Sequence, residues 1–223
     1  MIAAAALAAL VGLAAAGCSS GTSNAPGAHG PSVASLIRSM KSGFARATSV
    51  RVSGTLTEQG KTITLNLGML RSGDMSGNLT VGSAHLSILV VGGKAYELVT
   101  RAFFKTIQQT THVPSSVCAL MCGKYLAVPV GSFAAFGLPA MTTQIDSKIP
   151  IAKSVPHVQD TTYEGEPAYE LSGGNGTRLY LARNGTHDVL GMVVGTFGTL
   201  NFSDWNAVPP VGPPPASQVY TIG

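Results

Sequence analysis

From Ser49 to Val81 apolar and polar side chains alternate with a period of two between turn signals. A pattern of that length leaves little room for anything but consecutive antiparallel strands. Val50, Val52, Gly54 and Leu56 alternate with Arg51, Ser53, Thr55 and Thr57 up to a turn near Gln59-Gly60. Ile63, Leu65, Leu67 and Met69 then alternate with Thr62, Thr64 and Asn66. After Arg71-Ser72-Gly73-Asp74, Met75, Leu79 and Val81 stand against Asn78 and Thr80. Ser83 to Val91 and Lys94 to Thr100 continue the meander around Gly92-Gly93, a pair suited to the positive φ angles of a two-residue hairpin. A sheet written this way has one apolar face, and that face needs a cover.

Two segments can supply it. Pro31-Ser32 offers a helix start, and Val33, Leu36, Ile37, Met40 and Phe44 follow at helical spacing with Arg38, Lys41 and Arg46 on the other side. A second apolar stretch near Ser132 to Ile145 reads as another helix. Spacing alone does not distinguish a helix packed on a filled core from one that roofs a cavity.

The second half repeats the strand pattern in Thr161 to Leu171, Thr177 to Ala182, Val189 to Val194 and Thr199 to Ser203, punctuated by Gly173-Gly174-Asn175-Gly176 and Asn184-Gly185. These strands extend the first sheet or pair with it. The run Pro209-Pro210-Val211-Gly212-Pro213-Pro214-Pro215 cannot join a central ladder and reads as an extended strap over the surface. The expected class is α+β, mainly β, with a single domain over 32–223.

Met1 to Gly17 is uncharged and almost entirely Ala, Leu, Val and Gly, the composition of a signal-peptide apolar region, so 1–17 reads as a leader. Its end, Ala15-Ala16-Gly17-Cys18-Ser19-Ser20, resembles a bacterial lipobox, in which the Cys18 thiol would carry a diacylglyceryl group. The polar, Gly-rich stretch at 18–31 then reads as the lipidated cysteine and its flexible tether. Each methylene of such an anchor buried in a bilayer contributes about 0.8 kcal/mol. The expected location is the extracytoplasmic face of a bacterial cell membrane.

The net charge of +4 is spread as single Lys and Arg residues without interleaved aromatics, which argues against a nucleic-acid partner. Catalytic signatures are missing as well: there is no Gly-x-Ser-x-Gly, His-Glu-x-x-His or phosphate loop, and His29, His85, His112, His157 and His187 lie in separate segments. The chain is therefore not expected to be an enzyme, nor to carry a metal or cofactor. Glu164, Glu166 and Glu170 would share one face of a single strand and read as solvent-facing carboxylates. Cys118 and Cys122, an exported pair this close, are expected to form a small loop disulfide. Phe103 and Phe104, between Arg101 and Lys105, suit a lipid-facing loop or a locally buried pair. Trp205, near Phe202, reads as a structural plug.

The order lipobox, tether, short helix, then Ala47-Thr48-Ser49-Val50-Arg51-Val52-Ser53-Gly54-Thr55-Leu56 and Gly92-Gly93-Lys94-Ala95-Tyr96 resembles the actinobacterial LppX/LprAFG lipoproteins. Tyr163-Glu164-Gly165-Glu166-Pro167-Ala168-Tyr169-Glu170-Leu171 and Asn201-Phe202-Ser203-Asp204-Trp205, followed by the Pro-rich tail, are similar to that family's C-terminal half. The resemblance implies a twisted antiparallel sheet curled as a half-barrel around covering helices, related to the LolA/LolB carriers. It also implies an apolar cavity for acyl chains, which composition and period do not show.

Within such a fold the cavity candidates are Val52, Leu56, Ile63, Leu65, Leu67, Leu86 and Ile88 from strands, with Leu36, Met40, Phe133, Phe136 and Met141 from helices. A closed core would use the same positions. The implied function is to bind or transport a lipid or glycolipid in the cell envelope, with the membrane reached through the anchor and an envelope transporter as partner. The alternative is a non-transporting envelope lipoprotein that binds a protein partner or acts as a sensor domain.

Overall fold

The computed structural model describes residues 30–58, 60–111, 113–148, 157–172 and 176–220. The leader, Cys18 and most of the tether lie outside the described residues, as do His29 and His112. Helix α1 (Val33–Arg46) starts at Ser32, whose hydroxyl accepts the Ser35 N–H at 3.2 Å, and it buries Leu36, Ile37, Met40 and Phe44.

The strands are β1 (Ser49–Glu58), β2 (Lys61–Leu70), β3 (Met75–Val81), β4 (Ala84–Val91), β5 (Lys94–Leu98) and β6 (Tyr125–Val128) in the first half. The second half holds β7 (His157–Tyr163), β8 (Glu166–Ser172), β9 (Thr177–Ala182), β10 (Val189–Val194), β11 (Gly198–Ser203) and β12 (Val219–Tyr220). They form one open sheet in the order β12-β6-β5-β4-β3-β2-β1-β11-β10-β9-β8-β7. The pairing of β1 with β11 joins the two meanders, so the second half extends the first sheet. At that joint Gly54 has φ +149, and a Cβ there would stand 2.1 Å from the Thr199 carbonyl oxygen. Only glycine allows the two central strands to coil this closely.

Four elements differ from the sequence reading. The segment 161–171 is not one strand: Glu164 and Gly165, with φ of 49° and 89°, turn the chain between β7 and β8, and Tyr163 faces Glu166 across the turn. Two consecutive positive φ angles are what a two-residue hairpin requires. Glu164 therefore shares no strand with Glu166 and Glu170.

The last strand of the first meander stops at Leu98, because the Thr100 hydroxyl accepts the Phe103 N–H at 3.1 Å and starts helix α2 (Arg101–Thr111). Phe103 and Phe104 are thus helical, with Phe104 buried. The helix read over 132–145 is broken at Gly137, which is extended (φ −71°, ψ 149°) between a 3-10 segment, Val130–Phe136, and a helix, Leu138–Lys148. Pro139 falls in the first turn of the latter, where its missing N–H is harmless. Between α2 and β6, Cys118 and Cys122 form a disulfide across one turn, α3 (Cys118–Met121); the helix Leu138–Lys148 is α4.

Finally, the chain after β11 does more than run over the surface. Val208 is buried over Gly68, and its N–H donates to the Ser49 hydroxyl at 3.0 Å. Past the prolines it adds β12, which pairs in parallel with β6 at the far edge. Seven residues, 209–215, at about 3.1 Å each and the 3-10 turn Ala216–Gln218 at about 2 Å per residue are together long enough to cross five strand spacings of about 4.8 Å.

Candidate functional site

Register decides which side chains meet on the covered face. Val52 pairs with Leu67, Leu67 with Gly77, Gly77 with Ile88, and Ile88 with Glu97, so these positions form one inward row across β1 to β5. The neighbouring inward rows carry Leu65 beside Leu79 and Leu86, and Met69 beside Met75, Val90 and Ala95. Three covering pieces lie on this face. α1 contributes Leu36 and Met40, the 3-10 segment contributes Phe133 and Phe136, and α4 contributes Met141, all in one contiguous apolar cluster with the strand residues.

All twelve candidate positions converge there. Eleven are buried, and Leu86 is half-buried against the cluster. A cleft of about 130 Å³ opens into the cover, lined by Met75, Val90, Phe133, Ala134, Gly137 and Pro139. Of the sequence candidates only Phe133 lines it; ten of the others are buried in the core cluster, and Leu86 packs against its edge. Ligand pockets typically hold about 300–1,000 Å³, so this cleft is smaller than a usual ligand pocket.

Sequence reasoning missed a carboxyl on this face. In Lys94-Ala95-Tyr96-Glu97-Leu98 the period favours Tyr96 and Leu98 inward, yet the pairing of Leu89 with Tyr96 turns those two outward and sends Ala95 and Glu97 in. The unbroken apolar run Ile88 to Val91 was the available signal, because a strand buried on both faces cannot fix its neighbour's orientation by alternation. Glu97 lies between Ile88 and Leu126, its Oε1 is buried without a hydrogen-bond partner, and burial pushes its carboxyl up from the ordinary 4.5 to about 7.

A second, open cleft of about 730 Å³ lies where the chain enters α1, between Pro31 and the β7–β8 hairpin. Its charged groups neutralise each other: Arg183 Nη1 is 3.0 Å from Asp160 Oδ2, and the guanidinium stands 5.3 Å over the Tyr169 ring. Elsewhere Trp205 donates from Nε1 to the Val189 carbonyl at 3.0 Å and meets Phe44 edge-on at 4.9 Å. Glu164 accepts from the Asn201 amide at 3.0 Å, and Glu170 lies 3.8 Å from Arg178. Among the described residues no group of three or more His, Cys, Asp or Glu side chains could hold a metal ion.

No family model and no curated protein matches the sequence. Solved structures with a similar course of chain include LprF from Mycobacterium bovis, at 14% identity and a TM-score of 0.48, covering 82% of this chain and 96% of that one. An uncharacterized conserved protein from Thermus thermophilus follows at 9% identity and a TM-score of 0.36, covering 83% and 96%. The MucA/MucB complex of Pseudomonas aeruginosa is similar at 12% identity and a TM-score of 0.32, covering 83% of this chain and 59% of that one.

Proposed function

We propose that the chain is a cell-envelope lipoprotein, anchored through Cys18 on the extracytoplasmic face of a bacterial membrane, that binds or transports a lipid or glycolipid between its sheet and its covering helices. The observation that carries this reading is the apolar cleft at the 3-10 segment, where Met75 and Val90 of the largely apolar inward face line the wall. An acyl chain asks for dry apolar surface and little directional chemistry. The reading assigns the chain no reaction, cofactor or metal; an envelope transporter is the partner that would supply or receive the lipid.

A second reading, a non-transporting lipoprotein that binds a protein partner or acts as a sensor, draws on the packing of the same interior, where eleven of the twelve candidates are core. Mass spectrometry of organic extracts separates the two. A Cys18→Ser chain purified from a related bacterial host carries a defined lipid at near-stoichiometric level under the first reading, and loses it in Leu65→Trp and Ile88→Trp variants. A chain that is empty under the same extraction supports the second.

A further inference from the structure

The open sheet has two ends, and they are finished differently. At one end β12 is two residues long and β6 four, so little pairing edge is left there. At the other end β7 offers seven residues, and among the described residues it pairs with β8 alone. Its register with β8 runs without a bulge from His157 to Tyr163, and it carries no proline or lysine, two common means of blunting an edge. Its one carboxylate, Asp160, is held by Arg183 at 3.0 Å. Arg183 also donates its backbone N–H to the Pro167 carbonyl at 2.9 Å, so the backbone of Pro167 faces β9 and its pair with Thr162 is a non-bonded one. Alternation along the ladder then leaves the N–H and C=O groups of Val158, Asp160 and Thr162 directed away from β8.

The open cleft of about 730 Å³ lies along this same edge. Val158, Gln159 and Asp160 all line it, and successive side chains of a strand point to opposite faces, so a cleft that meets three in a row follows the backbone edge itself. The charge beside it is uneven. Four of the ten Asp and Glu residues of a chain with net charge +4 stand on the β7–β8 hairpin, Asp160, Glu164, Glu166 and Glu170, and the hairpin has no Lys or Arg. Arg183 and Arg178 offset Asp160 and Glu170, which leaves the charges of the exposed Glu164 and Glu166 at the tip.

We propose that β7 is a docking edge: a short extended segment of a partner protein, with Lys or Arg at the end that lies by the β7–β8 turn, adds to the sheet as a further strand. Backbone bonds to Val158, Asp160 and Thr162 supply the affinity, and the acidic tip sets the direction in which the segment runs. A second copy of this chain fits less well, since two paired β7 strands would set hairpins of the same acidic sign side by side. The chain's own 19–31 contains no Lys or Arg to match the tip. The docking edge is separate from the covered face and does not depend on lipid binding.

The test adds two synthetic peptides to the full chain carrying Cys18→Ser and follows amide hydrogen exchange by NMR. Both peptides alternate threonine and valine; one ends in two arginines, the other in two glutamates. The arginine peptide is expected to slow exchange at Val158, Asp160 and Thr162 by about tenfold, while Gln159 and Thr161, whose N–H groups already face β8, change little. The glutamate peptide is expected to protect them several-fold less, and Glu164→Gln combined with Glu166→Gln to narrow that difference. Thr162→Pro removes an outward N–H without removing a bond to β8, and is expected to abolish protection with the circular dichroism unchanged. Arginine peptides N-methylated at alternate residues repeat the test on an unaltered edge, and one of the two alternations is expected to lose protection. No protection of the three amides by either peptide at millimolar concentration, or protection that survives both Thr162→Pro and N-methylation, overturns the docking edge. Equal protection by the two peptides overturns the basic character of the partner. Protection that grows with the concentration of the chain alone makes a second copy the occupant and overturns the assignment to a partner protein.

Discussion

The ring of Tyr163 lies over Gly191, so close that a Cβ on the glycine would stand 2.2 Å from the tyrosine Cζ. The same ring stacks on Tyr180 at 4.3 Å, and its hydroxyl donates to Asn201 Oδ1 at 2.5 Å. Burial, with help from the Glu164 carboxylate, holds the phenol above the ordinary tyrosine range, so it remains a donor throughout the neutral range. The tip of the edge hairpin β7–β8 is thereby fastened not only to its ladder neighbour β9 but also to β10 and β11, which it does not adjoin.

Gly191→Ala is therefore expected to displace Tyr163 and to destabilise the protein by about 1–3 kcal/mol. In a Tyr163→Ala background the same change should cost clearly less, because the clashing ring is gone. Urea unfolding of the double-mutant cycle measures the difference, and additive costs would show that the two residues are not coupled.

Arg71 holds the end of α1 to the sheet. Its guanidinium donates to the carbonyls of Phe44 and of Ala47, the latter at 2.9 Å, and approaches Thr142 Oγ1 of α4 at 3.4 Å. These are carbonyls that a helix C-terminus leaves without internal partners. Arg71→Ala is expected to lower stability by about 1.5–3 kcal/mol, the range for hydrogen bonds to a charged group. Hydrogen exchange should show the last turn of α1 losing protection first, and unchanged exchange there would contradict the role.

The strap is seated by Val208 over Gly68, where an added Cβ would come within 2.8 Å of Val208 Cγ1. Gly68→Val should lift Val208 and expose 209–218 to proteases, with cleavage several-fold faster than in the wild type and the sheet left intact. Limited proteolysis followed by mass spectrometry reads this directly. An unchanged cleavage rate would mean that the strap is held by other contacts.

Glu97 also sets a pH dependence. Its folded value near 7 stands above the ordinary 4.5, so between those values the native state holds a proton that the unfolded chain has released. The contribution of Glu97 to stability is therefore full below about pH 4.5, falls as the pH rises, and levels off above about 7. After allowance for the partial exposure of the side chain, the loss is about 1–2 kcal/mol. The difference in unfolding free energy between wild type and Glu97→Gln should change by that amount over this interval, and a flat difference would contradict the burial of the carboxyl.

Alternation made the first half of the fold legible. The strands Ser49–Glu58, Lys61–Leu70 and Met75–Val81 fall where the period places them, and Ser32 starts α1 as a cap. The sequence was silent where two local signals compete. Tyr163-Glu164-Gly165-Glu166 interrupts a polar strand without changing its period, and the hairpin shows only in the consecutive positive φ angles of Glu164 and Gly165. Helix α2 is short and carries its start signal in a threonine, Thr100, that also suits the end of a strand. For the site, seven candidate positions came from strand alternation and five from the covering segments, while Glu97 was not identified, because its direction depends on the pairing of Leu89 with Tyr96 rather than on its own neighbours in sequence.

The most direct test of lipid binding is uptake by the folded protein. A pyrene-labelled phospholipid or glycolipid added to the Cys18→Ser chain should be taken up at one per chain, with the emission of a probe shielded from water, and Ile88→Trp should abolish uptake while circular dichroism shows the sheet preserved. A folded wild type that takes up no labelled lipid, or an Ile88→Trp variant that takes it up equally well, would contradict the assignment of the inward face as a lipid site.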